Sequence, residues 1–163
     1  MVMQQDELHT DLLKHELLKA MHDEGLLESF LPNVYTNVSY PPLKALILKL
    51  MDANKRHQAI LDTAILSVHS FSPDKVVEGS MVASLIHSVG AKEGLVQKEA
   101  LLVSVLQKVV YQQVANFKIL YSLTSPYELH ALSEYFRHMV EETTSSFNEL
   151  QKIWVLALAA ASH

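Results

Sequence analysis

Two polar side chains interrupt an apolar stripe in the segment LKLMDANKRHQAIL, which runs from Leu48 to Leu61. Asn54 and His57 are one helical turn apart, on the face that Leu50 and Leu61 would bury. A buried amide and a buried imidazole need hydrogen-bond partners or a metal ion. The pattern therefore indicates either a metal site or a hydrogen-bonded polar core.

Polar residues also enter the other apolar stripes near the middle of their segments. In the first segment Glu24 falls three residues before Leu27, and in the last segment Thr143 falls on the apolar face. In the segment before it, Val110 is expected at the same level, with Gln113 a turn later at the edge of the stripe. We expect these positions to form one layer with the pair described above.

Such a layer invites comparison with carboxylate-bridged two-metal sites in helical bundles. Those sites take one Glu from each of two helices and a Glu-x-x-His pair from each of two others. Hard cations prefer the carboxylate oxygens, and imidazole fills a remaining position. In this chain Glu24 and His57 match that ligand set. The other expected ligand positions carry neutral residues, namely Asn54, Val110, Gln113 and Thr143.

Three interpretations follow from this partial ligand set. The favoured one is a buried hydrogen-bonded cluster of Glu24, Asn54, His57 and Gln113, without a cofactor. The second is a single iron, manganese or zinc ion held by Glu24 and His57, as in a metalloprotein or oxidoreductase, and the third is a small-ligand pocket lined by the layer. Neighbouring acids that could complete a metal site by a shift in register are Glu28, Glu141 and Glu142.

The elements that must position this layer are helical. Apolar residues recur at intervals of three and four in segments 6–31, 42–69, 95–123 and 126–160, with a shorter one at 74–89. Breaks between them carry helix-start residues: Pro41 and Pro42, Ser72 with Pro73, and a capping box of Ser125, Pro126 and Glu128. The sequence predicts an all-α, antiparallel four-helix bundle with a long crossover containing an extra short helix, as one domain over residues 1–163.

Composition narrows the function classes. The chain has 163 residues, 49% of them hydrophobic, no cysteine and a net charge of -5. These values exclude thiolate catalysis and disulfides, and the absence of a basic stripe argues against nucleic-acid binding. The longest apolar runs, such as WVLALAAA, are far shorter than the ~20 residues that span a bilayer. We expect a cytoplasmic protein that binds neither nucleic acid nor membrane.

The same apolar run predicts a subunit contact. Trp154, Leu156 and Leu158 lie on different sides of the last helix, so one bundle does not cover them all. The alternative is that the helix end packs on its own bundle. We expect a homodimer; the sequence identifies no other protein partner.

Five segments of the chain resemble, in order and spacing, the bacterial stress-associated YciE/YciF-type branch of the ferritin-like superfamily. They are HDEGLLESFLPNV, NKRHQAILDTAI, VVEGSMVASLI, LQKVVYQQVANFKILYSL and VEETTSSFNELQKI. The resemblance places Glu24 and His57 on two of the family's metal ligands. Where the family has an acidic EHYE and an acid-rich last helix, this chain has residues 110–113 (VYQQ) and 143–146 (TTSS).

The resemblance implies a ferritin-like fold with a degenerate two-metal site and a role in stress response. Together with the neutral layer it favours a non-catalytic protein with a structural or interaction role. The sequence leaves enzymatic activity open, because one ion at Glu24 and His57 stays an alternative.

Overall fold

The computed structural model describes residues 2–68, 80–90, 98–125 and 129–161. The elements are α1 (Val2–Asn37), α2 (Pro41–Ser67), α3 (Met81–Gly90), α4 (Lys98–Thr124) and α5 (His130–Ala161). No strand occurs in these ranges. The predicted all-α class, with four long helices and a short one in the crossover, is confirmed.

The four long helices form a square bundle in which neighbours are antiparallel. α1 packs against α2 and α4, and α5 packs against the same two helices from the opposite corner. Because α2 and α4 therefore run in the same direction, the chain must cross the length of the bundle between them. α3 lies on this crossover and packs on α4 and α1.

The apolar core is divided into two clusters. The first lies at the end of the bundle with the α1–α2 connection and includes Leu27, Leu46 and Leu106, all fully buried. The second lies at the opposite end and includes Leu17, Leu61, Phe117, Phe136 and Met139. Burial of each such side chain contributes roughly 1.5–3 kcal/mol. Between the clusters lie the polar mid-helix residues that the sequence singled out.

α1 continues six residues beyond the predicted end at Leu31, so that prediction was wrong. Pro32 lies inside the helix and removes one backbone hydrogen bond. The turn after it still adds apolar burial, because Val34 is fully buried in the first cluster. Side chains also bind the last carbonyls: Thr36 Oγ1 donates to the carbonyl of Pro32 over 2.9 Å, and Asn37 Nδ2 donates to that of residue 33 over 2.8 Å.

The remaining boundaries follow local chemistry. α2 begins on Pro41 and Pro42, as expected from prolines in a first turn. The start of α3 is capped by Ser80, whose Oγ accepts a hydrogen bond from the backbone N–H of Ala83 over 3.0 Å. α5 begins at His130, four residues after the predicted start at 126. The predicted cap at Ser72 and Pro73, and residues Pro126 and Glu128 of the predicted capping box, lie outside the described residues. Ser125 of that box lies in the turn that ends α4, where its backbone N–H donates to the carbonyl of Tyr121 over 2.9 Å.

Within the described ranges, no helix is both long enough and apolar enough to cross a bilayer.

Candidate functional site

The side chains between the two apolar clusters, which we call the polar layer, come from all four long helices. They sit near the middle of each helix, where the antiparallel packing brings the helices to one level. Each is almost completely excluded from solvent except Glu142, which is partly exposed. The members are Glu24 of α1, Asn54 and His57 of α2, Gln113 of α4, and Glu142 and Thr143 of α5.

Glu24 is the centre of this layer. Its side chain is 1% exposed, and both carboxylate oxygens accept amide hydrogen bonds. Asn54 Nδ2 donates to Oε2 over 2.6 Å and to the Glu24 backbone carbonyl over 2.9 Å. Gln113 Nε2 donates to Oε1 over 2.6 Å. Two donors on two oxygens match the acceptor-only character of an ionised carboxylate.

The amide that holds Glu24 is itself held from the same helix. Gln58 Nε2 donates to Asn54 Oδ1 over 2.9 Å, one turn further along α2. This bond fixes which end of the Asn54 amide faces the carboxylate, since the oxygen is already engaged by Gln58. Gln58 therefore orients the Asn54 N–H group towards the Glu24 carboxylate.

His57 lies between two carboxylates. Its Nε2 is 3.1 Å from Glu142 Oε2, and its Nδ1 is 3.7 Å from Glu24 Oε2. Phe117 presents its ring to the imidazole in a T-shaped contact, with 5.0 Å between centroids. Arg56 also pairs with Glu142 at the surface.

Electrostatics favours the charged form of this pair. Burial lowers the pKa of His57, but hydrogen bonding and charge interaction with Glu142 and Glu24 outweigh it, so the net pKa is raised above its usual value. The hydrogen bond from His57 lowers the pKa of the Glu142 carboxyl, assisted by Arg56 and opposed by desolvation. The two carboxylates therefore favour the positively charged form of His57.

The structure brings Glu24, Asn54, His57 and Gln113 together, as expected, with two corrections. The hydrogen-bond partner of His57 is Glu142 on α5, which lies outside the expected set of four. Val110 is not in the layer but packs in the first apolar cluster, one turn away. The α4 position opposite Glu24 is Gln113, because it is three residues further along the helix and so one turn closer to the second cluster.

Thr143 is buried at the layer, where its Oγ1 has no hydrogen-bond partner among the described residues. The same is true of His57 Nδ1, whose distance to Glu24 exceeds that of a hydrogen bond. Glu28 and Glu141 are exposed and take no part. Only Glu142, of the three neighbouring acids, reaches a residue of the layer.

A second buried carboxylate escaped the sequence analysis. Asp23 is 1% exposed, accepts from Ser80 Oγ over 2.7 Å and accepts from Asn116 Nδ2 over 2.9 Å. Asn116 is in turn held by Gln112 over 3.1 Å. Asp23 thus ties the N-cap of α3 to α4. The sequence signal was present, because Asn116 follows Gln113 by one helical turn and Ser80 precedes an apolar run.

The layer does not fit a two-metal centre. No group of three or more His, Asp or Glu side chains within the described ranges is placed to hold an ion. Glu142 and Glu24 approach His57 from opposite ring nitrogens and do not converge on one point. Both oxygens of Glu24 face amide hydrogens, which occupy the directions in which a metal would bind.

Comparison with known proteins identifies the fold. No protein-family model and no curated protein matches this sequence. Two solved structures superpose closely over most of the chain. The stress protein YciF of E. coli has a TM-score of 0.77 and 16% identity, covering 90% of this chain and 94% of its own.

The second is YcfI from Rhodopseudomonas palustris, for which a structural role has been suggested. It has a TM-score of 0.74 and 16% identity, covering 88% of this chain and 92% of its own. At this identity the likeness concerns the fold. The chain has the YciF-type helical fold that the sequence segments indicated.

Proposed function

We propose that this protein is a non-catalytic member of the ferritin-like bundles, with a structural or interaction role. The observation that carries the proposal is the pair of amides, Asn54 and Gln113, that donate to both oxygens of Glu24. In a two-metal bundle those directions belong to cations and bridging carboxylates. Here two neutral amides donate to the oxygens of the same carboxylate, and the imidazole of His57 lies 3.7 Å from it.

Charge balance supports this interpretation. A buried carboxylate costs several kcal/mol unless donors and opposite charge compensate it. The amide donors solvate Glu24, and the raised pKa of His57 favours its positively charged form, 3.7 Å from the carboxylate. Both oxygens of Glu24 are thereby engaged without an ion, which supports a role of the layer as part of the core.

The biological setting is proposed from the fold relatives. YciF is described as a stress protein and YcfI by a suggested structural role. We propose a structural or interaction role in stress response, in the cytoplasm, which agrees with a composition free of cysteine.

One observation favours a second candidate, a single metal ion. His57 Nδ1 is buried without a hydrogen-bond partner and faces Glu24 Oε2. A neutral imidazole and this carboxylate are ligands for iron, manganese or zinc. Binding would require His57 to lose its proton and at least one amide to rotate away from Glu24.

Metal content separates the two candidates. The protein is expressed without a tag in medium supplied with iron, manganese and zinc, and its metal is measured by elemental analysis. The non-catalytic proposal expects less than about a tenth of an equivalent per chain, because the amides compete for the carboxylate. Near one equivalent, lost in His57→Ala but retained in the exposed-residue control His138→Ala, would overturn it and establish the single-ion site.

A further inference from the structure

A shallow groove of about 580 Å³ lies on the outside of the bundle, where α3, α4 and α5 meet. Each helix contributes about one turn to it, with Met81 from α3, Tyr111 from α4 and Phe147 from α5. Its volume falls within the roughly 300–1,000 Å³ of small-molecule sites in proteins. No member of the polar layer is among the described residues that line it, so the groove is a separate feature of the molecule.

The length of the groove favours a small molecule over a protein segment. Its lining on α4 runs from Gln107 to Gln112, a rise of about 8 Å. A helix bound in a groove anchors side chains over two turns or more, and a stable protein contact covers about 800 Å² on each partner. A groove of about one turn therefore matches one or two fused rings better than it matches a helix.

The walls of the groove favour an aromatic occupant. Tyr111 is 63% exposed, although its ring packs on that of Phe147 at a tilt of 55°, with 5.7 Å between centroids. Met81 is 59% exposed on the facing helix. Aromatic rings pack well on further rings at such distances, and thioethers also pack on aromatic rings. A planar ring between Met81 and Tyr111 would contact both.

The charge of the lining favours an anionic occupant. Lys108 is the one charged side chain among the described residues that line the groove. None of the ion pairs in the described part of the chain involves Lys108. Glu149 follows Phe147 by two residues but pairs with Lys49 of α2 over 3.7 Å, on another side of α5. A carboxylate beside Lys108 would therefore meet a cation that no acid of the described chain neutralises.

Two hydrogen-bond networks hold the walls in place. Ser80 Oγ donates to Asp23 over 2.7 Å, which fixes the start of α3 next to Met81. Gln112 Nε2 donates to Asn116 Oδ1 over 3.1 Å, which holds the groove side of α4. A site that is already ordered loses less entropy when it binds a ligand.

We propose that this groove is a binding site for a small aromatic carboxylate. The ring of the ligand lies on Tyr111 and Met81, and its carboxylate lies beside Lys108. The amides of Gln107 and Gln151, which also line the groove, are further hydrogen-bond donors for the carboxylate. This binding activity goes beyond a structural or interaction role and does not depend on whether the polar layer holds a metal ion.

Titration with naphthoate tests the proposal directly. Amide resonances of the isotope-labelled protein should shift most at Lys108, Tyr111 and Phe147, with a dissociation constant in the millimolar range or tighter. Naphthamide has the same shape without the charge, so it should bind about threefold to tenfold more weakly. Equal binding of the two compounds would overturn the assignment of a carboxylate ligand.

A charge reversal tests the role of Lys108. Lys108→Glu should weaken naphthoate binding by at least about threefold and leave naphthamide binding unchanged. Lys118→Glu is the matched control, because Lys118 is exposed on the same helix about 15 Å further along and does not line the groove. It makes the same change in net charge and should leave both affinities unchanged.

A second substitution tests the aromatic contact. Tyr111→Leu keeps an apolar side chain but removes the ring, so it should weaken the binding of naphthoate and naphthamide alike. Tyr135→Leu is its control, since Tyr135 is 51% exposed on α5 and does not line the groove. All four substituted side chains are exposed, so circular dichroism should show an unchanged helical spectrum.

Three results would count against the site. They are shifts that fall on another face of the bundle, no shift up to the solubility of naphthoate, and equal weakening by Lys108→Glu and Lys118→Glu. The metal content of the polar layer is measured separately, so failure of the groove proposal leaves the proposed function untouched.

Discussion

His57 and Glu24 face each other across the middle of the bundle, with 3.7 Å between Nδ1 of the imidazole and Oε2 of the carboxylate. The opposite ring nitrogen lies 3.1 Å from Oε2 of Glu142. Since α1 and α5 occupy diagonal corners, the imidazole lies between carboxylates of two helices that are not neighbours in the square. In a metal-containing bundle cations lie between such carboxylates, whereas here a side chain of the protein itself lies between them.

Glu24→Leu should destabilise the protein by about 2–4 kcal/mol. The substitution leaves the amide N–H groups of Asn54 and Gln113 without an acceptor. Each buried unsatisfied donor costs about 1–3 kcal/mol. Had His57 bonded to Asn54, the loss of a buried charge could have made the change neutral. Urea denaturation monitored by circular dichroism measures the difference in the free energy of unfolding.

Two further variants make that measurement specific. Glu28→Leu, an exposed change on the same helix, should stay within about 0.5 kcal/mol of the parent. Combining Glu24→Leu with leucine at Asn54 and Gln113 removes the stranded donors and should restore much of the loss. A neutral Glu24→Leu alone would mean that the amides do not depend on the carboxylate.

Stability should fall as the pH rises above neutrality. The pKa of His57 is raised in the folded state, so its stabilising contribution is complete below about 6.5, the unfolded value. It is lost as the pH rises through the folded pKa. Urea denaturation at a series of pH values should show this decline, and His57→Gln should flatten it.

The contribution of Glu142 to stability depends on pH in the opposite direction. The pKa of Glu142 is lowered in the folded state, so its contribution is present above about 4.5 and is lost as the pH falls through the folded pKa. Glu142→Gln should reduce both the loss of stability at acid pH and the loss at alkaline pH, because it deletes one of the two carboxylates facing His57. If stability of this variant still declines with rising pH as in the parent, Glu142 does not raise the pKa of His57.

Asp23→Ala should loosen the crossover helix as well as the bundle. Asp23 is the common acceptor of Ser80, which caps α3, and of Asn116 on α4. Its removal should cost about 2–4 kcal/mol by leaving two buried donors unpaired. Hydrogen exchange at the Ala83 amide should accelerate more than exchange in α2. Asp52→Ala, an exposed change on α2, should alter neither quantity.

The sequence predicted the bundle because periodicity is a property of each helix separately. It also predicted which face of α2 is buried, so Asn54 and His57 could be placed in the core before any contact was known. Their partners depend on the register between helices, which periodicity does not specify. A shift of one turn decides whether Val110 or Gln113 meets Glu24, and no local pattern in α4 encodes that shift.

The burial of Asp23 also depends on packing between helices and could not be predicted from the pattern of α1 alone. Two adjacent acids on one helix cannot both follow a single apolar stripe, so one of them looks exposed. The crossover helix widens the buried face of α1 and covers Asp23 as well. The continuation of α1 past Pro32 likewise depends on tertiary packing, because burial of Val34 offsets a break that the local sequence favours.

Introducing carboxylates should convert the layer into a metal site. Asn54→Glu with Gln113→Glu places three acids and His57 at one level, where their mutual repulsion should destabilise the metal-free protein. A divalent cation that binds only the folded variant should recover that loss, by about 2.7 kcal/mol at a hundredfold excess over its dissociation constant. Thermal unfolding with and without manganese should therefore differ strongly for the variant.

The parent protein is the control for that experiment. The comparison tests whether the amides of Asn54 and Gln113 keep a cation away from Glu24. Asn and Gln keep the shape of Asp and Glu but present N–H groups to Glu24 where a cation would stand. Manganese should leave the melting temperature of the parent unchanged and raise that of the double variant. Equal stabilisation of both would mean that the amides already rotate to present oxygens, and the hydrogen-bonded core would not be the resting state of the layer.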